Sequence, residues 1–243
     1  MARIFITGSA GGLGLNAARA LMQQGHEVVL HARNEFRLAD AGEVRDQAVG
    51  TVAGNLADLD ETVRVAEQAG KYGPFDAVIH NAGVYSGSGV LAVNTVAPYV
   101  LTALMAPPRR IVYISSGMHR SGTPDLQGMN WRDAARRPGA YSDSKLYVTA
   151  LAAAMANRWP DVESNAVDPG WVPTRMGGRG APDDLELGHV TQVWLATRSG
   201  GSRESGGYWF HEKRREPHPA VNDAAFQAEL LGALERHTGI GLP

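Results

Sequence analysis

Eight residues near the start of the chain, Thr7-Gly8-Ser9-Ala10-Gly11-Gly12-Leu13-Gly14, leave little choice of fold. They join a β-branched run, Arg3 to Thr7, to a segment whose Leu13, Ala17, Ala20 and Leu21 share one helical face. Gly25 follows where a left-handed C-terminal cap is wanted, and a second strand-like run, Glu27 to Ala32, comes next. Strand, glycine turn, helix and strand in about thirty residues make a parallel β-α-β unit, since parallel strands need a crossover of that length.

The alternation continues to the end of the chain. Further strands are predicted at Val49 to Ala53, Phe75 to His80, Arg110 to Ser115, Glu163 to Val167 and Tyr208 to His211. Most are unbroken apolar runs, as strands covered on both faces should be. Helices are predicted at Leu59 to Ala69 with Asp58 or Asp60 as cap, Val93 to Met105, Tyr141 to Arg158, Asp184 to Ala196 and Asn222 to Arg236. The fold class is α/β, a single doubly wound Rossmann-type parallel sheet flanked by helices. At 243 residues and 25.9 kDa, with no linker or repeat, it is read as one domain, 1–243.

In such a unit the glycines give the turn positive φ and close backbone approach, so a pyrophosphate rests on amide N–H groups at the positive end of the helix. Gly8, Ser9, Gly11, Gly12, Leu13 and Gly14 are therefore candidate dinucleotide contacts. A flexible loop is the plain alternative, and the flanking strands and helix argue against it.

Composition excludes several other chemistries. Lys and Arg number 23 against 25 Asp and Glu, so bulk electrostatics give no footprint for nucleic acid. With no cysteine and no HExxH, disulfides, thiolate chemistry and a helical zinc site are out, and no metal is expected. From Ala77 to Pro108 no residue is formally charged, but Asn81, Asn94, Pro98 and glycines interrupt the run, so a buried strand and helix are expected rather than a membrane span. The first strand leaves no room for a signal peptide, and the expected location is cytoplasmic.

Three places carry candidate chemistry. Tyr141-Ser142-Asp143-Ser144-Lys145 puts a phenol and an ammonium four residues apart on one helical face, where the cation favours phenolate and brings the phenol toward acid-base use. Ser116 follows the strand Ile111 to Ile114 at the carboxyl edge, where its hydroxyl reaches a developing oxyanion. Asn94 lies inside the uncharged helix, where its amide must find partners. Taken singly, each has an ordinary structural reading: a surface pair, a turn residue and a satisfied buried amide.

Together these residues resemble the Asn-Ser-Tyr-Lys tetrad of the short-chain dehydrogenase/reductase family, as Asn94, Ser116, Tyr141 and Lys145. The glycine turn has that family's TGxxxGxG form. His80-Asn81-Ala82-Gly83 is similar to its NNAG with His in first place, and Asp168-Pro169-Gly170-Trp171-Val172-Pro173-Thr174 is similar to its PG motif. The 25-residue separation of Ser116 from Tyr141, with the phrases RIVYISSGMH, YSDSKL and DPGWVPTRM, looks like the retinol-dehydrogenase-like branch.

The resemblance implies hydride transfer between a nicotinamide and a carbonyl or alcohol carbon of a small, hydrophobic substrate. Tyr141 would be the general acid in reduction and the base in oxidation, and Ser116 would orient and polarise the carbonyl. Lys145 would bind the nicotinamide ribose and perturb Tyr141, and Asn94 would hold a water leading from Lys145 to solvent. Asn81, Ala82, Gly83, Pro169, Gly170, Trp171, Val172 and Thr174 would contact the cofactor, with Leu56 and with Asn55, which replaces the usual adenine-contacting Asp. A non-catalytic NADP(H)-binding regulator or redox sensor on the same fold is the alternative, and an extended nucleotide-sugar enzyme is a third; the intact tetrad argues against the former, glycine spacing and length against the latter.

The cofactor is expected to be NADP(H) rather than NAD(H). No carboxylate lies between Glu27 and Glu35 to accept from ribose hydroxyls, while Arg33 offers a planar cation for a 2′-phosphate. Ser9 is the expected second donor, and a protonated His31 is expected to strengthen the preference toward acid pH. Tyr85, Met118, His119, Trp131 and Trp171 are candidate pocket residues, and Arg132, Arg136 and Arg137 read as a solvated loop. The connection Val84 to Val93 is shorter than the family usually has, which removes oligomer surface and points below the family's common tetramer, to a homodimer.

Overall fold

The computed structural model describes residues 1–198 and 204–243. Their strands are β1 Arg3–Ile6, β2 Glu27–Ala32, β3 Gly50–Ala53, β4 Ala77–His80, β5 Arg110–Ile114, β6 Glu163–Asp168, β7 Tyr208–Phe210 and β8 Lys213–Arg215. They form one sheet in the order β3-β2-β1-β4-β5-β6-β7-β8, parallel except for the last pair. Strand order reverses between β1 and β4, so the loops after these two strands diverge and leave a crevice at the carboxyl edge.

The helices are α1 Gly12–Gln23, α2 Glu35–Leu38, α3 Glu43–Gln47, α4 Leu59–Gly70, α5 Ala97–Leu104, α6 Ala140–Arg158, α7 Val190–Thr197 and α8 Ala224–Thr238. The pleat of β1 sends Ile4 and Ile6 into one core with Ala17, Leu21 and Val193 of α1 and α7, and Phe5 into another with Val65, Ala69 and Leu101 of α4 and α5. A third cluster joins α5, α6 and α8 with Leu126 and Trp131. Helix α6 is buried without a break from Ser142 to Met155, because α8 and the 122–139 segment cover the side that the sheet does not.

Predicted and observed elements agree for β1 to β7, with ends differing by a residue or two. The sequence reading misses β8, a strand of three consecutive cations, and the short helices α2 and α3. It starts α7 at Asp184, whereas the helix begins at Val190. From Asp184 to Val190 the chain runs in turns instead, with Leu187, Gly188 and Val190 N–H donating to Asp184, Leu185 and Leu187 O, and at Gly188 a Cβ would lie 2.7 Å from Leu13 Cδ2.

Candidate active site

The glycine turn is built as the spacing implies. Gly8 and Gly12 have φ of +64° and +55°, values that side chains resist. At Gly14 a Cβ would lie 2.5 Å from Gly8 O and 2.4 Å from Asn81 Nδ2, so only glycine lets α1 begin this close to the turn. Gly11, the N-cap of α1, brings no side-chain cap, and the first turn holds no acidic residue. Its leading amides thus lack intrahelical acceptors and nothing beside them repels an anion, which fits a pyrophosphate.

Several residues expected to touch the cofactor also hold this turn together. Ser9 is fully buried; its N–H donates to His31 O (2.9 Å), its hydroxyl donates to Ile6 O (2.9 Å), and its Oγ accepts from His31 N–H (2.9 Å). It has no donor left for a 2′-phosphate, which corrects the sequence expectation. Asn81 Nδ2 donates to Thr7 O and Gly8 O at 3.0 and 3.1 Å, and Ala82 N–H donates to Thr7 Oγ1 at 3.0 Å.

His31 is also corrected. Gly8 N–H donates to its Nδ1 at 3.0 Å, which places the ring proton on Nε2, facing Gly54 O at 3.0 Å. Burial lowers its pKa to about 4, so it is a neutral brace between two backbone loops and not a phosphate-binding cation. Arg33 is exposed just past β2 and makes no ion pair among the described residues, so its guanidinium is available. Asn55 is exposed, with Oδ1 accepting from Ala57 N–H, while Leu56 is buried.

Across the crevice, Thr174 of the loop after β6 lies over Gly12, its Cγ2 3.7 Å from a Cβ built there. Gly170 has φ of +81° and Val172 is buried, whereas Trp171 is exposed and its indole N–H donates to Gly177 O (2.9 Å). Gly83 is crowded: a Cβ there would lie 3.4 Å from Asn94 Oδ1 and 3.5 Å from Lys145 Nζ. The loops after β1, β4 and β6 therefore converge on one cleft, with the expected cofactor residues Pro169 to Thr174 and Ala82 to Gly83 on its walls.

The tetrad residues meet at the same cleft. Tyr141 and Lys145 stand on the first turns of α6, with Nζ 5.6 Å from the phenol ring centroid. Ser116 stands beside the phenol, and its Oγ accepts from Met118 N–H (3.2 Å) and so caps the short turn that follows β5. Lys145 is buried and Nζ donates to Ile114 O at 2.8 Å. Asn94 sits in a π-helical turn, Ala92–Val96, and its Nδ2 donates to Ser144 Oγ at 3.0 Å. Ser144 donates in turn to Tyr141 O at 2.7 Å. Ser144 is a bridge the sequence reading missed, hidden inside the YxxxK spacing.

The electrostatics differ from expectation in one respect. Burial lifts the Tyr141 phenol above its ordinary value, the Ser116 hydroxyl opposes this, and Asp168 adds to the rise. Lys145, whose Nζ donates to Ile114 O, loses its proton at lower pH than the phenol does, so little of its charge remains where the phenol titrates. Burial pulls Lys145 itself down to about 8, with Asp168 opposing. At neutral pH the phenol is protonated and Lys145 is largely a cation.

Of the proposed pocket residues, His119 is fully buried and Trp131 belongs to the core beside Tyr147. Tyr85, Met118 and Trp171 are exposed, and Tyr85 lies with its ring centroid 4.8 Å from that of Tyr141. Arg137 is not a free loop cation: its Nε donates to Asp143 at 2.7 Å.

Comparison with known proteins agrees with this geometry. The model of the short chain dehydrogenase family matches residues 2–184, well over half the chain. Short-chain dehydrogenase chry4 of Gibberella zeae is 38% identical over 257 residues, covering 100% of this chain and 99% of that protein. Short-chain dehydrogenase chyC of Penicillium rubens is likewise 38% identical, covering 100% of both. A Mycobacterium paratuberculosis protein of known structure superposes over 100% of this chain and 95% of its own, with TM-score 0.83 at 23% identity. A short chain dehydrogenase from Shigella flexneri, complexed with NADP, superposes over 87% of this chain and 97% of its own, with TM-score 0.68 at 22% identity. With the glycine turn, the carboxyl-edge cleft and these relatives in agreement, the chain belongs to the short-chain dehydrogenase/reductase family, the NAD(P)-binding oxidoreductases.

Proposed function

We propose that this protein is a single-domain, NADP(H)-dependent reductase or dehydrogenase acting on a carbonyl or alcohol carbon of a small hydrophobic substrate. The observation that carries the reading is the protonated Tyr141 phenol beside Ser116, with the Lys145 ammonium 5.6 Å from its ring, at the mouth of the cleft. In reduction, Tyr141 Oη gives its proton to the carbonyl oxygen while the Ser116 hydroxyl donates to that oxygen and fixes its direction. The nicotinamide, when bound, supplies or accepts the hydride. Lys145 would hold its ribose, and the amides of Gly12, Leu13 and Gly14 its pyrophosphate.

Arg33 supports NADP(H), since the end of β2 offers a phosphate partner and no carboxylate to repel one. Tyr85, Met118, Trp171 and Met176 support a hydrophobic substrate, being large apolar side chains left exposed on loops that flank the cleft. The phrases RIVYISSGMH and DPGWVPTRM support placement near the retinol-dehydrogenase-like branch, although the relatives named above are fungal short-chain dehydrogenases. No helix among the described residues is long and apolar enough to cross a membrane, and a cytoplasmic location belongs to the same reading.

The test is NADPH oxidation against a panel of hydrophobic aldehydes and ketones, with Tyr141→Phe as control. Turnover that Tyr141→Phe abolishes supports an enzyme. Tight NADPH binding with no turnover on any carbonyl supports the non-catalytic regulator instead.

A further inference from the structure

One charged group at the cleft has no part in the steps above. Asp168 ends β6, beside the end of β5, and its side chain is only partly exposed. Its Oδ1 accepts from Gly170 N–H at 3.0 Å, and its Oδ2 accepts from the Tyr208 hydroxyl of β7 at 2.9 Å. The same Oδ2 would be 3.1 Å from a Cβ built on Gly117, the residue after Ser116. The carboxylate is thus pressed between the turn that carries Ser116, the turn that begins the Pro169 to Thr174 loop, and the edge of the sheet.

The geometry points to Asp168 as a positioning residue of this site: a carboxylate wedged against the Ser116-Gly117 turn, anchored by Tyr208 and Gly170, whose negative charge acts on Lys145 and Tyr141. The surrounding groups fit a charged rather than a neutral side chain. Two N–H or O–H donors point at it, and the Arg120 guanidinium stacks 5.2 Å above the ring of Tyr208. His119 also packs on that ring, centroids 4.4 Å apart, with Nε2 accepting from His218 N–H. Its Nδ1 lies 2.8 Å from Ser116 O, so Nδ1 is the donor and the ring is neutral. Lys145 Nζ donates to Ile114 O (2.8 Å) and Ser115 N–H donates to Val167 O (2.7 Å), so the ammonium and the carboxylate stand at the adjoining ends of β5 and β6, and the titratable or charged groups around them are His119 and Arg120 of the turn after β5, Tyr208 of β7, Tyr141 of α6 and, beside Tyr141, Tyr85.

The chemical consequence follows from Coulomb's law at low dielectric. A nearby anion strengthens proton binding by both Lys145 and Tyr141. Asp168 therefore offsets part of the burial that drives the proton from Lys145 and adds to the rise that burial gives the phenol. It acts through these two residues and touches no reacting atom in the proposed step.

The inference rests on the functional reading of Tyr141 and Lys145 but can fail separately from it. Only three lysines occur, Lys71, Lys145 and Lys213, so protein carrying ¹³Cε-lysine gives three resonances, and Lys145→Met assigns the buried one. In Asp168→Asn, which keeps the size and loses the charge, the Lys145 titration should move to lower pH by about half a unit or more. Asp168→Ser, whose hydroxyl also accepts from the amide two residues on, is a second neutral variant. The alkaline limb of the kcat/KM profile for NADPH-dependent reduction should move the same way.

An unmoved Lys145 midpoint in a folded neutral variant overturns the proposal, as does a move to higher pH. Failure of both variants to fold overturns it too, by making the carboxylate a structural requirement of the sheet edge. If Tyr141→Phe retained turnover, the proton-donor reading would fall while the lysine titration still reported on Asp168.

Discussion

Asn94 and Val84 bind each other twice. The side-chain Oδ1 of Asn94 accepts from Val84 N–H at 2.8 Å and its Nδ2 donates to Val84 O at 2.9 Å, so the amide completes the backbone of the segment after Gly83 as a neighbouring strand would. The remaining Nδ2 hydrogen reaches Ser144 Oγ and hence the head of α6. With these three bonds, the described contacts of Asn94 tie the loop after β4 to the helix that carries Tyr141, and Lys145 bonds Ile114 O instead. Asn94→Asp should therefore act through stability. A carboxylate facing Val84 O loses its donors, at a cost of about 2 kcal/mol, or about 4–8 °C in Tm by calorimetry. A Tm within a degree of the parent would show that the pairing is dispensable.

Tyr141→Phe should lower turnover at least about 100-fold while leaving NADPH affinity within a few-fold, because the phenol moves a proton and contributes little to holding the dinucleotide. Lys145→Met should differ in kind and weaken both. Titration of NADPH fluorescence beside steady-state rates separates the two patterns, and a Lys145→Met affinity equal to the parent's would remove the ribose role.

Arg33→Ala should reduce kcat/KM with NADPH by about tenfold or more and leave NADH nearly unchanged, since a guanidinium on a phosphate is a charge-assisted contact and a ribose hydroxyl offers no equivalent charge. His31 predicts the pH behaviour: with its pKa near 4 it gains no proton between pH 8 and 6, so it adds nothing to the cofactor ratio in that window. A ratio that rose steeply below pH 7 only while His31 was present would contradict the buried, neutral ring.

Acid should weaken the fold through the same histidine. Its folded pKa, about 4, lies below the unfolded value of 6.5, so the neutral ring's stabilisation is fully present above pH 6.5. It is lost progressively as pH falls from 6.5 toward 4, by roughly 3 kcal/mol. Burial holds His80, stacked on Tyr113, down to about 3, which extends the loss further. Denaturant midpoints at pH 7.5, 5.5 and 4.5 should fall in that order, and His31→Gln should flatten the slope.

Light scattering at low micromolar concentration should give an assembly smaller than a tetramer. Helix α6 is already covered within its own chain by α8, and the C-terminal residues are fastened across α5 and α6, with Tyr99 Oη donating to Ile240 O at 2.7 Å and Arg158 donating to the carbonyls of Leu242 and Pro243. A stable tetramer would locate the interface on another surface.

What could be read from the residues alone followed where the signal lay. The glycine turn, the alternating strands and helices, and Asn94, Ser116, Tyr141 and Lys145 are side-chain patterns at fixed spacing, and the structure brings all four to one cleft. Ser9 and His31 were misread because their partners are Gly8, Ile6 and Gly54 main-chain groups, which leave no mark in a sequence. Strand β8 was invisible because Lys213-Arg214-Arg215 has neither apolar alternation nor β-branching, and it pairs only because the hairpin returns it to β7. The influence of Asp168 depends on three loops meeting, a relationship between residues 51 and 40 positions apart from Gly117 and Tyr208 that no local pattern encodes.

That hairpin has a consequence for the protein in concentrated solution. A sheet ends in unpaired amides and carbonyls that can recruit a strand from another molecule and grow into fibrils. Here the last strand is antiparallel, three residues long and exposed throughout, with a positive charge at every position. Docking a second copy in register would stack cation on cation, and any foreign strand would find too short a template to pay its ordering entropy. The border beside β7 is therefore closed to strand recruitment by charge and brevity, and Lys213-Arg214-Arg215 acts as a gatekeeper against aggregation.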